Sequence, residues 1–518
     1  MNNPLILTLD FGTQSLRAAL VNKQGEIEAI EKKKYDPVFI SPEKGYAEQD
    51  PDFYYEYAVE LLTSLAEKNK DELYRIIGAT LTTFRDSSVY LDENYKSIRP
   101  MILWTDQRTA EAKEPLPFIH KLLFALVGMT DTIELNRKRT MAHWLKENEP
   151  ENWKRVKKYV NISGYLVYKL TGNLSDSVAS VTGHYPINFR KRKWQKEGAL
   201  KGRIFGIPSE MLCELKQPGE VLGIISDELA DKCGLPKGIK LYASGSDKGC
   251  ETIGLGALDK NLGAVSYGTA CTIEVSNQKY YEPEKFLPAY PAAVPDWYNM
   301  EVQIYRGYWM LTWFSREFAS ELMDEAKIEN IAVEEVLNRG LKSIPPGSDG
   351  LILQPFWGPA LSRPLAKGLI IGFTDIHTRN HLYRAIIEGI AYGLLDGLQS
   401  IEKSQRHKVQ ELRISGGGSQ NDSICQITAD IFGLPVKRVQ TYETTTLGAS
   451  MATFVAAGEF KNIDEAINKM THIRDVFYPD PVAHEKYEYL YKNVYLNLYP
   501  SLKKIHKKVD YFNKKKNK

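Results

Sequence analysis

The first apolar run of the chain, LILTLD from Leu5, is interrupted by Phe11-Gly12-Thr13-Gln14-Ser15 and resumes as LRAALV. The interruption is too short for a helical crossover, so the pattern predicts two antiparallel strands across a tight turn. Asp50-Pro51-Asp52 precedes FYYEYAVELLTSLAEK. That order predicts a capped amphipathic helix, with proline where a missing N–H costs nothing. IIGATLTTF and IRPMILW predict strands on either side of a turn. Segments 150–172 and 185–240 mix helical and loop patterns, with charged connectors such as RKRKWQKEG.

A second strand–Gly–Thr–strand unit follows at 264–275, where AVSY, Gly268-Thr269 and CTIEV stand in order. It lies about half a chain beyond Gly12-Thr13 and suggests two domains of related design, although Gly-Thr between apolar runs is also common by chance. LRISGGGSQND is a third apolar run ending in a glycine turn, ahead of the helical SICQITADIF. TTLGASMATFVAAG predicts a small-residue helix ended by glycine. The tail from 484 onward is rich in tyrosine and then lysine. It predicts a surface helix that packs its tyrosines, in preference to a membrane-touching basic helix.

Bulk properties narrow the function classes. A chain of 518 residues suggests two to four domains. A net charge of +2 gives no general attraction to nucleic acid or to an anionic membrane. Five scattered cysteines (Cys213, Cys233, Cys250, Cys271, Cys425) make neither a CxxC pair nor a zinc pattern, which fits reduced thiols in a cytoplasmic protein. The start of the chain has no basic region and only a short apolar run, so a signal peptide is not expected.

Four constellations could carry chemistry. Asp10-Phe11-Gly12-Thr13-Gln14-Ser15 offers backbone amides and a hydroxyl to phosphate oxygens, with a carboxylate for Mg²⁺; a structural hairpin would read the same way. Ala243-Ser244-Gly245-Ser246-Asp247-Lys248-Gly249 places a carboxylate in a small-residue turn, either as a general base or as an Asx-turn or helix cap. Ser415-Gly416-Gly417-Gly418-Ser419-Gln420-Asn421 gives a flat backbone for adenine or ribose, or simply a glycine turn. Thr82-Thr83-Phe84-Arg85-Asp86-Ser87 and Trp104-Thr105-Asp106-Gln107-Arg108 alternate charged and aromatic groups, as a polyhydroxylated ligand or a surface ion-pair cluster would require.

Taken in order, these parts resemble the FGGY carbohydrate kinases, a family that includes glycerol kinases and pentulose kinases. The resemblance runs over roughly residues 5–500 and includes YAEQDPDFYY, LDENYKSIRPMILWTDQRT, HWLKENEPENW, GYLVYKLTG, DSVASVTG and LYPSLK. It implies an α/β protein with two actin-like domains (ribonuclease H-like, hexokinase-type) around a deep ATP/sugar cleft. Residues 1–253 would form the first domain and 254–480 the second, with 481–518 a basic helical extension. It implies a kinase that uses ATP and Mg²⁺ on a small sugar or polyol, a ketose such as a pentulose foremost. A regulatory nucleotide-binding protein of the same fold is the alternative. The resemblance leaves a homodimer open.

Carried over by position, Asp247 is the implied general base and, with Asp10, a metal-holding residue. Gly12, Thr13, Gln14 and Arg17 would face the phosphates from the first domain, and Gly268 and Thr269 from the second. Gly417, Gly418 and Asn421 would meet the adenosine. Arg85 and Asp86 match the Arg-Glu pair of glycerol kinases, whereas Trp104 and Asp106 match the Trp-x-Asp of pentulose kinases, so a sugar pocket of mixed parentage is expected. Two departures stand out: Met141-Ala142-His143-Trp144 lacks the family lysine, and the spacing from Gly307 to Trp313 differs.

Overall fold

Leu5–Phe11 (β1) and Ser15–Asn22 (β2) are antiparallel, and Ile27–Lys34 (β3) adds to the outer side of β2. The computed structural model describes residues 3–516 apart from 127, 197, 285–286, 358–362 and 364. Both faces of β1 and almost all of β2 are buried, which is why their sequences read as continuous apolar runs instead of alternating ones. β1 also pairs in parallel with Ile76–Thr83 (β4), and β4 pairs in parallel with Lys240–Tyr242 (β6). Val221–Ile224 (β5) closes the far edge antiparallel to β6. The sheet order is therefore β5-β6-β4-β1-β2-β3.

The helix Pro51–Lys68 (α1) starts as its sequence dictates. Asp50 accepts the Asp52 amide at 3.0 Å, and Pro51 occupies the first turn. Tyr54, Ala58, Leu61, Leu62 and Leu65 of α1 enter the same core as Leu5, Leu7, Leu81 and Leu241. IRPMILW gives much less strand than expected, Met101–Ile102 alone, because Pro100 has no N–H to give to a strand ladder.

The chain divides into two compact units. The first comprises Met1–Gly256, Tyr290–Tyr298 and Glu443–Thr471; the second comprises Ala257–Ala289, Asn299–Tyr442 and His472–Lys518. The first unit thus gathers two later segments onto the first 256 residues. The predicted small-residue helix, Thr444–Ala456, returns to the first unit, where Thr8 and Ser450 share a hydrogen bond of 2.8 Å.

The second unit repeats the strand plan of the first. Leu262–Tyr267 (β7) and Cys271–Asn277 (β8) are antiparallel, and β7 pairs in parallel with Glu411–Ser415 (β9). β9 pairs in parallel with Val436–Val439 (β10), which Ile473–Phe477 (β11) borders antiparallel. Hairpin, two parallel neighbours and an antiparallel edge recur in the same order, as the two Gly-Thr turns suggested.

The tail is no separate domain. Pro481–Leu490 continues through a wider turn, Tyr491–Tyr495, into Leu496–Lys516, with 517–518 outside the described residues. Tyr487, Tyr491 and Tyr495 are buried and gather around Tyr392 of the long helix Arg379–Gln405, with ring centroids 5.2–6.2 Å away. The Tyr487 hydroxyl donates to Glu388 at 2.6 Å and accepts from Arg384 at 2.7 Å. Among the described residues, no helix is long and apolar enough to cross a membrane.

Candidate active site

Asp10, next to last in β1, is in register with Arg17 of β2 across the glycine turn. The turn closes with Gly12 N donating to Ser15 O at 3.0 Å, which leaves Gly12 and Thr13 half-exposed and Gln14 exposed. Trp104 Nε1 donates to Thr13 Oγ1 at 3.2 Å. Arg17 places Nη1 3.6 Å from Asp10 Oδ2 and Nε 2.6 Å from Glu443 Oε2, and Lys32 Nζ lies 3.3 Å from Glu443 Oε1.

Burial pushes the Asp10 carboxyl up to about 7; Arg17 opposes the shift, and the charges of Glu443, Asp247 and Glu251 add to it. Such a carboxyl, surrounded by others, has a strong electrostatic reason to take a cation. Among the described residues no cluster of three or more His, Cys, Asp or Glu forms a cage for a metal. One or two carboxylates completed by phosphate oxygens is the way Mg²⁺ is usually held, and Asp10 with Asp247 fits that pattern.

Asp247 opens the helix Asp247–Gly254 (α2), which Ser246 caps by accepting the Gly249 amide. The turn that presents it is tied down on several sides. Ser244 Oγ donates to Leu81 O of β4 at 2.7 Å, Ser177 Oγ donates to Ser244 O at 2.6 Å, and Ser246 N donates to Ala179 O at 3.1 Å. The Asp247 side chain remains 28% exposed, its Oδ1 accepting the Lys248 amide at 2.8 Å and lying 3.9 Å from Arg85 Nε. Burial raises its pKa, while Arg85 and Lys248 pull the other way. A carboxylate whose proton affinity is raised by burial, yet which stays partly open, suits general-base work.

The predicted sugar-side residues divide. Arg85 turns to Asp247, and its guanidinium lies 5.8 Å from the Tyr290 ring centroid. Asp86 engages His184, through the His184 amide at 2.9 Å and Nδ1 at 2.7 Å. Trp104 reaches Thr13 in the β1–β2 turn. Asp106 departs from the expectation of a hydroxyl contact. Its side chain is 2% exposed, with Oδ1 and Oδ2 taken by Arg108 Nε (2.9 Å) and Nη2 (2.7 Å) and by the Ala47 amide (2.6 Å). It anchors Arg108, which stacks on Tyr46 at 3.7 Å, and has no oxygen left for a ligand.

In the second unit, Gly268 and Thr269 form the β7–β8 turn and are half-exposed. Their carbonyls accept the Tyr308 amide (3.1 Å) and the Trp309 amide (3.3 Å). Tyr308 stacks on Tyr267 with centroids 4.8 Å apart. The three glycines differ in what they do. A Cβ on Gly418 would lie 2.0 Å from the Tyr308 ring, so its missing side chain makes room for that ring; around Gly417 there is open space. Asn421 caps the helix Asp422–Phe432 by accepting the Ile424 amide at 3.2 Å. Gly307 packs on Cys271, where a Cβ would come within 2.3 Å of Sγ.

Three residues of these surroundings escaped sequence reading. Glu443 precedes a stretch legible only as a helix. His184 follows the SVTG of a recognised segment but had no partner visible in the sequence. Nothing in the chain signals Tyr290.

Residues 5–254 match the N-terminal domain of the FGGY family of carbohydrate kinases, and residues 263–457 match its C-terminal domain. Xylulose kinase of Lactococcus lactis is 29% identical, over 95% of this chain and 96% of its own. Gluconokinase of Bacillus subtilis is 26% identical, over 93% of each. Among solved structures, ligand-bound xylulose kinase from Lactobacillus acidophilus superimposes with a TM-score of 0.81 at 23% identity, covering 98% of this chain and 100% of that one. Since the two domain matches span most of its length, the chain belongs to the FGGY family of carbohydrate kinases and is a sugar kinase.

Proposed function

We propose that this kinase moves the terminal phosphoryl group of ATP onto a hydroxyl of a pentulose such as xylulose, with a sugar acid such as gluconate the second candidate. The support is the set of relatives, which includes both xylulose kinases and gluconokinases. The observation that carries the chemistry is Asp247, its pKa raised by burial yet its side chain still partly open at the start of α2. Its carboxylate takes the proton of the attacking hydroxyl as the new O–P bond forms and the bond to the departing ADP breaks. Arg85 steadies the ionised base.

In the first unit Gly12, Thr13, Gln14 and Arg17 offer a phosphate-binding turn, and in the second unit Gly268 and Thr269 offer a turn of the same kind. Gly417 and Asn421 face the adenosine. Gly418 acts by admitting Tyr308. Asp10 and Asp247 would hold Mg²⁺, which would supply positive charge to the phosphate oxygens. The setting is the cytoplasm, in keeping with five buried thiols outside any disulfide.

The test is ADP release with D-xylulose, D-ribulose, D-gluconate and glycerol as acceptors. At least one sugar should stimulate release strongly. Asp247→Asn should then lower kcat about 10²–10⁴-fold, with ADP affinity nearly unchanged by calorimetry. No stimulation by any acceptor, or full turnover by the variant, would overturn the reading.

A further inference from the structure

His184 is held in a way that no packing requirement of its own explains. Asp86, which follows Arg85 at the end of β4, has φ 55°, a left-handed conformation that a non-glycine residue adopts at a cost. Its carboxylate gives both oxygens to one residue, accepting the His184 amide at Oδ1 (2.9 Å) and His184 Nδ1 at Oδ2 (2.7 Å). Gly183 has φ 96°, and a Cβ there would sit 2.3 Å from Asp86 Cγ. A strained aspartate, an obligatory glycine and a two-point grip thus all converge on one imidazole.

The grip also sets the tautomer. With Nδ1–H donating to Asp86, a neutral His184 ring carries its lone pair on Nε2. Nε2 has no partner among the described residues, and the side chain is 22% exposed. The segment bearing His184 runs beside the base: Ser177 Oγ and Ala179 O are bonded to Ser244 O and Ser246 N, in the turn that presents Asp247. Residue 85, next to Asp86, reaches Asp247 itself. The Phe205 ring stands edge-on to the imidazole, with centroids 6.2 Å apart.

We infer that His184 is a specificity-determining residue of this kinase. Its Nε2 accepts a hydrogen bond from the hydroxyl on a sugar carbon away from the reacting one. Asp86 is then a positioning residue, acting through His184 and not on the sugar. The inference rests on the sugar-kinase reading and adds to it the part of the acceptor that is read: a hydrogen-bond-donating hydroxyl. A site built to bond a hydroxyl discriminates strongly against an acceptor that cannot supply it in the right place.

The experiment measures kcat/KM for D-xylulose, D-ribulose, L-ribulose and D-gluconate, with ADP affinity by calorimetry as a control. His184→Leu should lower kcat/KM for the best wild-type sugar by about 10²-fold and shrink the spread between best and worst acceptors to within about tenfold. ADP affinity should stay within about twofold, the margin of a variant whose nucleotide contacts are intact. Asp86→Asn presents an amide N–H₂ to Nδ1 and so favours the other tautomer. It should reproduce the His184→Leu pattern, and the double variant should be no worse than either single one. A uniform loss across all sugars, or additive losses in the double variant, overturns the inference. A wild-type enzyme inactive on every acceptor strikes the kinase reading and takes the inference with it. A wild-type enzyme with a clear preference that survives His184→Leu strikes the inference alone.

Discussion

Arg17 Nε lies 2.6 Å from Glu443 Oε2, which joins the β1–β2 hairpin to the N-terminal end of the helix Thr444–Ala456. The same guanidinium is 3.6 Å from Asp10. Asp10 therefore feels two opposed influences from this pair: Arg17 lowers its pKa and Glu443 raises it. If Mg·ADP binds the ionised form of Asp10, the thermal stabilisation it brings will grow with pH around neutrality. Glu443→Gln should move the midpoint of that growth to lower pH, and Arg17→Met should move it to higher pH. Shifts of the same sign would show that Asp10 is not the titrating group.

Gly417 and Gly418 separate space for a neighbour from space for a ligand. Gly418→Ala puts a methyl group into the Tyr308 ring, itself stacked on Tyr267. Overpacking of this kind costs about 1–3 kcal/mol, so the melting temperature should fall together with ADP affinity. Gly417→Ala meets nothing within 4 Å and should leave the melting temperature unchanged. If adenosine lies on that backbone, ADP affinity alone should drop. Unaltered ADP affinity in Gly417→Ala would remove this residue from the nucleotide site.

The hairpins, the capped α1 and the helix after 443 were legible because each depends on local pattern: apolar runs broken by glycine, or a cap followed by an amphipathic stretch. The turns that carry Asp10, Thr13 and Asp247 were legible for the same reason. Asp106 misled because spacing cannot say which way a carboxylate points, and Arg108 two residues on was available to claim it. Glu443 and His184 were hidden for the converse reason. Their partners, Arg17 and Asp86, are distant in sequence, and only the return of the chain to the first unit brings them together.

Asp106 and Asp86 should therefore differ as variants. Asp106→Asn leaves Arg108, with a side chain 1% exposed, only Glu48 as an anionic partner. The loss should be about 3 kcal/mol of stability, at the low end for a broken buried pair because Glu48 remains. Sugar kcat/KM of the folded fraction should hold. Denaturant unfolding alongside kinetics checks both halves. A stable Asp106→Asn protein with collapsed sugar turnover would restore Asp106 to the sugar site.

Two buried carboxyls make the ligand-free protein sensitive to pH. Asp10 and Asp176 are each raised to about 7, chiefly by burial; Arg17 opposes the shift in the first case, and hydrogen bonds from Ser163, Ser177 and Gly164 oppose it in the second. In the unfolded chain both ionise near pH 4. Between about pH 4 and about pH 7 the native state therefore holds protons that the unfolded state has lost, and stability falls as pH rises through that window. Each group contributes at most on the order of 4 kcal/mol to the fall, at 1.36 kcal/mol per pKa unit. Asp176→Asn and Asp10→Asn should each flatten the decline measured by urea unfolding from pH 4.5 to 7.5. Mg·ADP should offset the share of Asp10, whose ionised form it would bind, and leave that of Asp176, which lies against Ser163 and Ser177 instead of the phosphate turn. In Asp10→Asn, accordingly, Mg·ADP should no longer change the slope, while in Asp176→Asn its effect should persist in full. A slope that both substitutions leave untouched would mean that neither carboxyl is protonated in the native state near neutrality, and that Asp10 is already ionised before any cation arrives.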